Sequence, residues 1–68
     1  MRVEVECHAG YRSDETPRRF VLEGRRVEVA EVVERWAEPE RRCFRVLGDD
    51  GAVRLLSLDL RSGEWSTG

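Results

Sequence analysis

The chain has 68 residues, 40% of them hydrophobic and 38% charged, and its 12 basic and 14 acidic side chains give a net charge of −2. This length predicts one small domain over residues 1–68, with apolar material for a thin core but too little to line a deep substrate cavity. The acidic balance argues against a general nucleic-acid binder, and no apolar run approaches the roughly 18 residues of a membrane span. The N-terminal residues lack a signal peptide's apolar stretch, so we expect a cytoplasmic protein of bacterial type.

The first strand is predicted from a period of two. Its alternate apolar residues are Val3, Val5 and Cys7. A polar stretch from Ala9 to Pro17 interrupts the alternation and is the longest irregular segment of the chain. A second strand is expected at about Arg18 to Glu23, with Phe20 and Leu22 on one face. Gly24 then predicts a tight hairpin turn, because glycine adopts the positive φ that such turns require.

The run from Arg25 to Trp36 fits two periods. Val27 and Val29 continue the strand alternation, whereas apolar residues from Val29 to Trp36 also recur at helical spacing. Because β-branched valines favour strands, we predict one long bent strand with a bulge near Ala30 and Glu31. Such a bulge would turn Val32 and Trp36 towards the core. The alternative is a short helix around residues 29–37.

The second half of the chain predicts two further strands and a short closing one. Ala37 to Arg41 is expected to be a polar connection, after which Phe44 and Val46 open a fourth strand. Asp50-Gly51 indicates a hairpin. A fifth strand is expected from Ala52 to Leu60, and Glu64 to Ser66 could add a sixth.

Five or six short strands joined by tight turns must curl to bury one face and protect their edges. We therefore predict an all-β fold, a small SH3-like barrel or a strongly twisted antiparallel roll. The second choice is an α+β fold, an open sheet carrying the short helix.

The sequence contains few residues suited to metal binding or catalysis. Cys7, His8 and Cys43 are the only soft metal ligands, one fewer than a structural zinc site uses. Cys7 and His8 are neighbours on a predicted strand, so their side chains point to opposite faces and cannot act as a catalytic pair. We expect no enzyme activity, no metal and no cofactor, and two reduced thiols rather than a disulfide framework.

Binding groups are concentrated in the irregular stretch and the hairpin after it, because long loops in compact domains commonly carry function. The candidate binding residues are Tyr11, Arg12, Arg18, Arg19, Arg25, Arg26 and Trp36. Arginines from the two strands of the hairpin would approach one another and match phosphate or an acidic peptide. A tryptophan exposed beside arginine would mark a stacking or peptide-binding surface.

These residues predict a non-catalytic binding or adaptor module that acts through its surface loop, with another protein as its partner. A nucleic-acid-associated accessory domain is the first alternative, with arginines on phosphates and Tyr11 or Trp36 stacking on bases. A self-associating structural domain, which pairs through an exposed edge strand into a dimer, is the second. We expect the protein itself to be a monomer or a weak homodimer. No membrane partner is expected.

Most of the chain resembles a family of short, uncharacterised bacterial β-domains. The pieces that carry the resemblance are Gly10 to Phe20, Gly24 to Trp36, Phe44 to Val46, Asp50-Gly51 and Leu58 to Trp65. These motifs are mostly apolar positions and turns, and the resemblance implies a compact β-domain without specifying an activity. The chain departs from the family's aromatic pattern at Arg54 and Leu58, and the resemblance transfers no active-site residue.

Overall fold

A computed structural model describes residues 1–7 and 16–67 of the chain. The described residues form six β-strands and no helix. In chain order the strands are β1 (Arg2–Cys7), β2 (Pro17–Leu22), β3 (Arg25–Glu38), β4 (Arg41–Gly48), β5 (Val53–Asp59) and β6 (Trp65–Thr67). The all-β prediction is confirmed, and the helix around residues 29–37 is wrong because that stretch lies within β3. Residues 9–15 of the predicted irregular stretch, and His8 before it, lie outside the described residues.

The six antiparallel strands follow chain order around a closed barrel, in which β6 pairs with β1. This architecture agrees with the predicted small SH3-like barrel. The long strand β3 pairs with its two neighbours one after the other along its length. Residues Arg25–Glu28 pair with β2, and residues Val29–Glu38 pair with β4. A strand that passes from one neighbour to the next in this way must bend, and bulges supply the bend.

Two bulges lie in β3, one more than the sequence predicts. The first inserts Ala30 between the rungs Val29–Gly48 and Glu31–Leu47, which confirms the predicted position and leaves Val32 packed against the core. The second inserts Val33 between Val32 and Glu34. Each extra residue reverses the face to which the following side chains point.

The second bulge corrects the prediction for Trp36. Its cross-strand neighbour is Cys43, whereas Arg35 lies opposite the core residue Phe44. Trp36 therefore lies on the outer face of the barrel and not in the core, while Trp65 is a core residue. The predicted connection from Ala37 to Arg41 is also shorter than expected, because its ends belong to β3 and β4 and only two residues form the turn.

The core is one apolar cluster on the inner faces of all six strands. Its members are Val3, Phe20, Val27, Phe44, Val46, Leu56, Leu58 and Trp65. Phe20, Val46 and Leu56 are at most 1% exposed, so they occupy the centre. The rings of Phe44 and Trp65 are in tilted contact with centroids 5.7 Å apart. The same alternation that predicted the strands therefore selects the core.

The turns use backbone conformations that their residues predict. Glu23 and Gly24 both have positive φ, 52° and 80°, and join the rung Leu22–Arg25, as in a two-residue type I′ hairpin. At the β4–β5 turn, Asp50 accepts two hydrogen bonds from the Arg54 guanidinium, at 3.2 and 2.7 Å. The Arg54 guanidinium also lies 5.6 Å from the centroid of the Phe20 ring. This ion pair closes one end of the barrel over the core.

The Asp50–Arg54 pair makes stability depend on acid pH. The hydrogen bond from Arg54, aided by one from the Ala52 amide, lowers the pKa of Asp50 from 3.8 to about 2. A carboxyl whose pKa is depressed by folding stabilises the fold above its unfolded-state pKa and loses that contribution as pH falls through the folded-state value. We expect Asp50→Asn to lower the melting temperature at pH 6. We also expect its difference from the parent to shrink between about pH 4 and pH 2, as followed by circular dichroism. A difference that stays constant down to pH 2 would contradict the assignment.

Candidate binding surface

Three arginines share one end of the barrel, where β1 and β3 end and where β2 and β4 begin. Arg18 is the second residue of β2, Arg42 the second residue of β4, and Arg35 lies near the end of β3. Arg35 and Arg42 point to the inner side of their strands, because Arg42 alternates with Phe44 and Arg35 pairs with Phe44. Arg18 is the extra residue of a bulge in β2, between the rungs Glu6–Arg19 and Cys7–Pro17. All three are exposed, beyond the packed core. We call this surface the arginine end.

The arginine end has an excess of positive charge among the described residues. The glutamates on the strands and turn at this end already have partners. They form the ion pairs Glu6–Arg19, Glu34–Arg45, Glu38–Arg41 and Glu40–Arg61. No ion pair within the described part of the chain engages Arg18, Arg35 or Arg42. The local balance thus differs from the net charge of −2 of the whole chain.

The cross-strand neighbours of Arg35 and Arg42 carry no charge. The Arg35 guanidinium carbon lies 5.7 Å from the centroid of the Phe44 ring, within the range of a cation–π contact. Arg42 has Ala37 opposite it on β3 and Leu58 opposite it on β5. These neighbours are apolar, and no ion pair with another described residue engages either arginine, so both guanidinium groups can take an anionic partner.

Arg19, by contrast, is engaged on the outer face of the barrel. Its guanidinium donates to Glu28 and to Glu6, both at 2.8 Å. The hydrogen bond to Glu28 is the main cause that raises the pKa of Arg19. This three-residue ladder crosses β1, β2 and β3 and satisfies the positive charge within the fold.

The Arg25–Arg26 pair lies at the opposite end of the barrel from Arg18. Arg25 pairs with Leu22 beside the turn, and Arg26 pairs with Val21. Arg26 lines a shallow outer recess of about 240 Å³, which Arg19 and the carboxylates Glu4 and Glu6 also line. The hairpin therefore brings Arg19 and Arg26 to one face as predicted, but it surrounds them with acids and separates Arg18 from Arg25.

Trp36 forms a second, outer-face cluster. The Arg45 guanidinium carbon lies 5.6 Å from its ring centroid, and Glu34 accepts a 2.6 Å hydrogen bond from the same guanidinium. The indole Nε1 donates to Glu38 at 3.3 Å. Cys43, directly opposite Trp36, is a free thiol that is only 3% exposed. One ring face and the polar atom of Trp36 are thus already used by the fold.

Tyr11 and Arg12 lie outside the described residues, so their prediction stays open. Of the remaining candidates, the arginine end contains Arg18 alone. Sequence reasoning did not select Arg35 and Arg42. The alternation of Arg42 with Phe44 and Val46 could have placed Arg42 on the inner side, but the second bulge in β3 hid the orientation of Arg35.

Comparison of the chain with protein-family models, with curated proteins and with solved structures finds no match. The resemblance to a family of short bacterial β-domains therefore stays a prediction. The described residues contain no group of three or more histidine, cysteine or acidic side chains placed to hold a metal ion. Within the same residues, no helix has the length and apolar character needed to cross a membrane.

Proposed function

We propose that this protein is a non-catalytic adaptor module that holds an acidic segment of another protein at the arginine end. The observation that carries the proposal is the set of three exposed arginines without ion-pair partners in the described chain, beside glutamates that are all paired. An arginine fork suits a carboxylate because it donates two parallel hydrogen bonds. A cytoplasmic setting fits Cys43, a buried cysteine that forms no disulfide.

Carboxylates suit this surface better than nucleic-acid bases. Binding of single strands without sequence preference relies on accessible aromatic faces on which bases stack. Near the arginine end, Phe44 and Trp65 are 5% and 9% exposed, and Trp36 already stacks with Arg45. These observations favour an acidic protein segment, and the nucleic-acid alternative becomes an outcome of the test.

The test compares two double variants that remove the same charge. Arg35→Gln/Arg42→Gln removes two exposed arginines at the arginine end, and Arg25→Gln/Arg26→Gln removes two exposed arginines at the opposite end. Fluorescence anisotropy with labelled poly-glutamate measures binding at several salt concentrations. Because an exposed ion pair contributes up to ~1 kcal/mol, about fivefold, we expect the first variant to bind at least ten times more weakly. We expect the second variant to stay within about twofold of the parent.

Two results would contradict this assignment. An equal loss of affinity in both variants would show that poly-glutamate binding depends on the total charge of the protein and not on the arginine end. Tighter binding of a labelled single-stranded oligonucleotide than of poly-glutamate, lost in Arg35→Gln/Arg42→Gln, would favour the nucleic-acid alternative. In both cases thermal melts of the variants must match the parent, so that loss of binding does not reflect loss of folding.

A further inference from the structure

The second half of β3 has one edge without a strand neighbour among the described residues. β2 pairs with β3 only from Arg25 to Glu28, and β4 takes the other edge of the remainder. From Ala30 to Glu38, seven of nine residues are exposed and the other two, Val32 and Trp36, are half-buried. An open edge of this kind presents backbone N–H and C=O groups that another extended segment can pair with.

The two bulges limit where such pairing can occur. Ala30 and Val33 interrupt the ladder, and bulges increase the local twist, which discourages regular pairing along an edge. Beyond Val33 the ladder is regular, with five successive rungs from Glu34 to Glu38. This five-residue stretch also contains Arg35. The stretch best suited to accept a strand is therefore the one that carries a guanidinium of the arginine end.

We infer that the open edge of β3 from Glu34 to Glu38 binds an acidic peptide segment as an added β-strand. This inference rests on the proposed function, and it names the geometry of the same site. Main-chain hydrogen bonds would hold the segment along the edge. Its side chains would alternate between the inner side of the sheet, beside Arg35 and Ala37, and the outer side, beside Trp36.

The inner side specifies acidic residues at alternate positions. One inward side chain of the added strand lies beside Arg35, which has no ion-pair partner among the described residues. The next lies beside Ala37, whose methyl group leaves room for the long side chain of Arg42 to reach across from β4. The residue between them points outward beside the exposed part of the Trp36 ring. The preferred segment is therefore extended, with two acidic residues separated by one apolar residue.

A second copy of the chain suits this edge poorly. Symmetric antiparallel pairing centred on Trp36 would place Glu34 of one copy opposite Glu38 of the other, twice across the interface. Like charges directly opposite each other destabilise a strand pair. The same pairing would leave Arg35 opposite Ala37 and still without a carboxylate. Charge complementarity thus favours an acidic segment of a different protein over self-association.

The experiment uses a capped eight-residue peptide in which glutamate alternates with valine. Its control has the same side chains but carries N-methyl groups on every central amide, so that it keeps its charge and cannot donate backbone hydrogen bonds. We expect the parent protein to bind the first peptide at least ten times more tightly than the control. At saturation, amide hydrogen exchange should slow at least tenfold for residues of Glu34–Glu38 that face the open edge.

Protein variants distinguish the contribution of main-chain pairing from the contribution of the arginine charge. Arg35→Gln should weaken binding of the alternating peptide about fivefold, Arg35→Lys less, and Arg26→Gln at the opposite end should leave it unchanged. Equal binding of the N-methylated control would overturn strand addition while leaving the acidic-segment function in place. If substitution of Arg35 and Arg42 left the affinity for acidic peptides unchanged, the proposed function itself would be overturned. A homodimer in sedimentation with Glu34–Glu38 protected before peptide is added would assign the edge to a second copy and overturn the inference.

Discussion

Phe20→Ala is expected to remove a large share of the protein's free energy of unfolding. Phe20 is 1% exposed and lies at the centre of the barrel, between Val5 on β1 and Val27 on β3. Truncation of a buried phenylalanine costs about 3–5 kcal/mol through lost burial and the cavity that remains. The whole domain should be stable by only about 3–10 kcal/mol, at roughly 0.05–0.15 kcal/mol per residue. Urea and thermal unfolding followed by circular dichroism measure the loss.

The matched control for Phe20→Ala is an apolar residue that the barrel leaves exposed. Val53 is 55% exposed on the outer side of β5, so Val53→Ala should change the free energy of unfolding by no more than about 0.5 kcal/mol. The comparison isolates the contribution of the core from general effects of removing apolar groups. A Phe20→Ala protein that melts within a few degrees of the parent would mean that the barrel interior is not organised around this ring.

Gly48→Ala should destabilise the barrel by crowding and not by backbone strain. A Cβ at Gly48 would lie 2.6 Å from Cγ1 of Val27 and 2.7 Å from Oδ1 of Asp50. Val27 is 4% exposed within the core and cannot withdraw, and Asp50 is held by Arg54. Overpacking of this kind costs typically about 1–3 kcal/mol. For a domain of this size we expect the melting temperature to fall by roughly 4–8 °C per kcal/mol.

A glycine of the same turn provides the control. Gly51 has φ of 87°, and a Cβ there would meet no atom within 4 Å. Gly51→Ala therefore carries the cost of a positive φ alone, about 1 kcal/mol, without a clash. Scanning calorimetry should show the larger loss for Gly48→Ala. A smaller effect at Gly48 than at Gly51 would indicate that β4 and β5 can separate at this turn without disturbing Val27.

The proposed site depends on how charges are paired rather than on how many there are. The chain is acidic overall, yet the glutamates near the arginine end form ion pairs with other arginines, namely Arg19, Arg41, Arg45 and Arg61. Exposed pairs such as these contribute little to stability individually, under ~1 kcal/mol each. Their consequence is local: they remove the carboxylates with which Arg18, Arg35 and Arg42 would otherwise pair. A surface able to attract acidic groups can therefore form on an acidic protein.

Local signals were sufficient for the strands and for much of the core. The alternation of Val3, Val5 and Cys7 predicts β1, and Phe20 and Leu22 predict the inner face of β2, because a side chain's face in a strand depends only on its parity. Gly24 and Asp50-Gly51 predict both hairpins, because few residues adopt the required backbone angles. The prediction of a barrel follows from these elements, since so short a meander must close on itself to cover its apolar face.

The face of Trp36, the partners of each arginine and the open edge of β3 were decided by the tertiary structure. One extra residue at Val33 reverses parity, and a bulge at that position is set by the curvature of the closing barrel and not by valine itself. Ion pairs join residues as distant in sequence as Arg19 and Glu6, so their choice depends on register across strands. Composition gives the number of charges and periodicity gives the face on which each lies. Only the closed sheet determines which guanidinium groups, in the part of the chain that the structure describes, remain without a carboxylate.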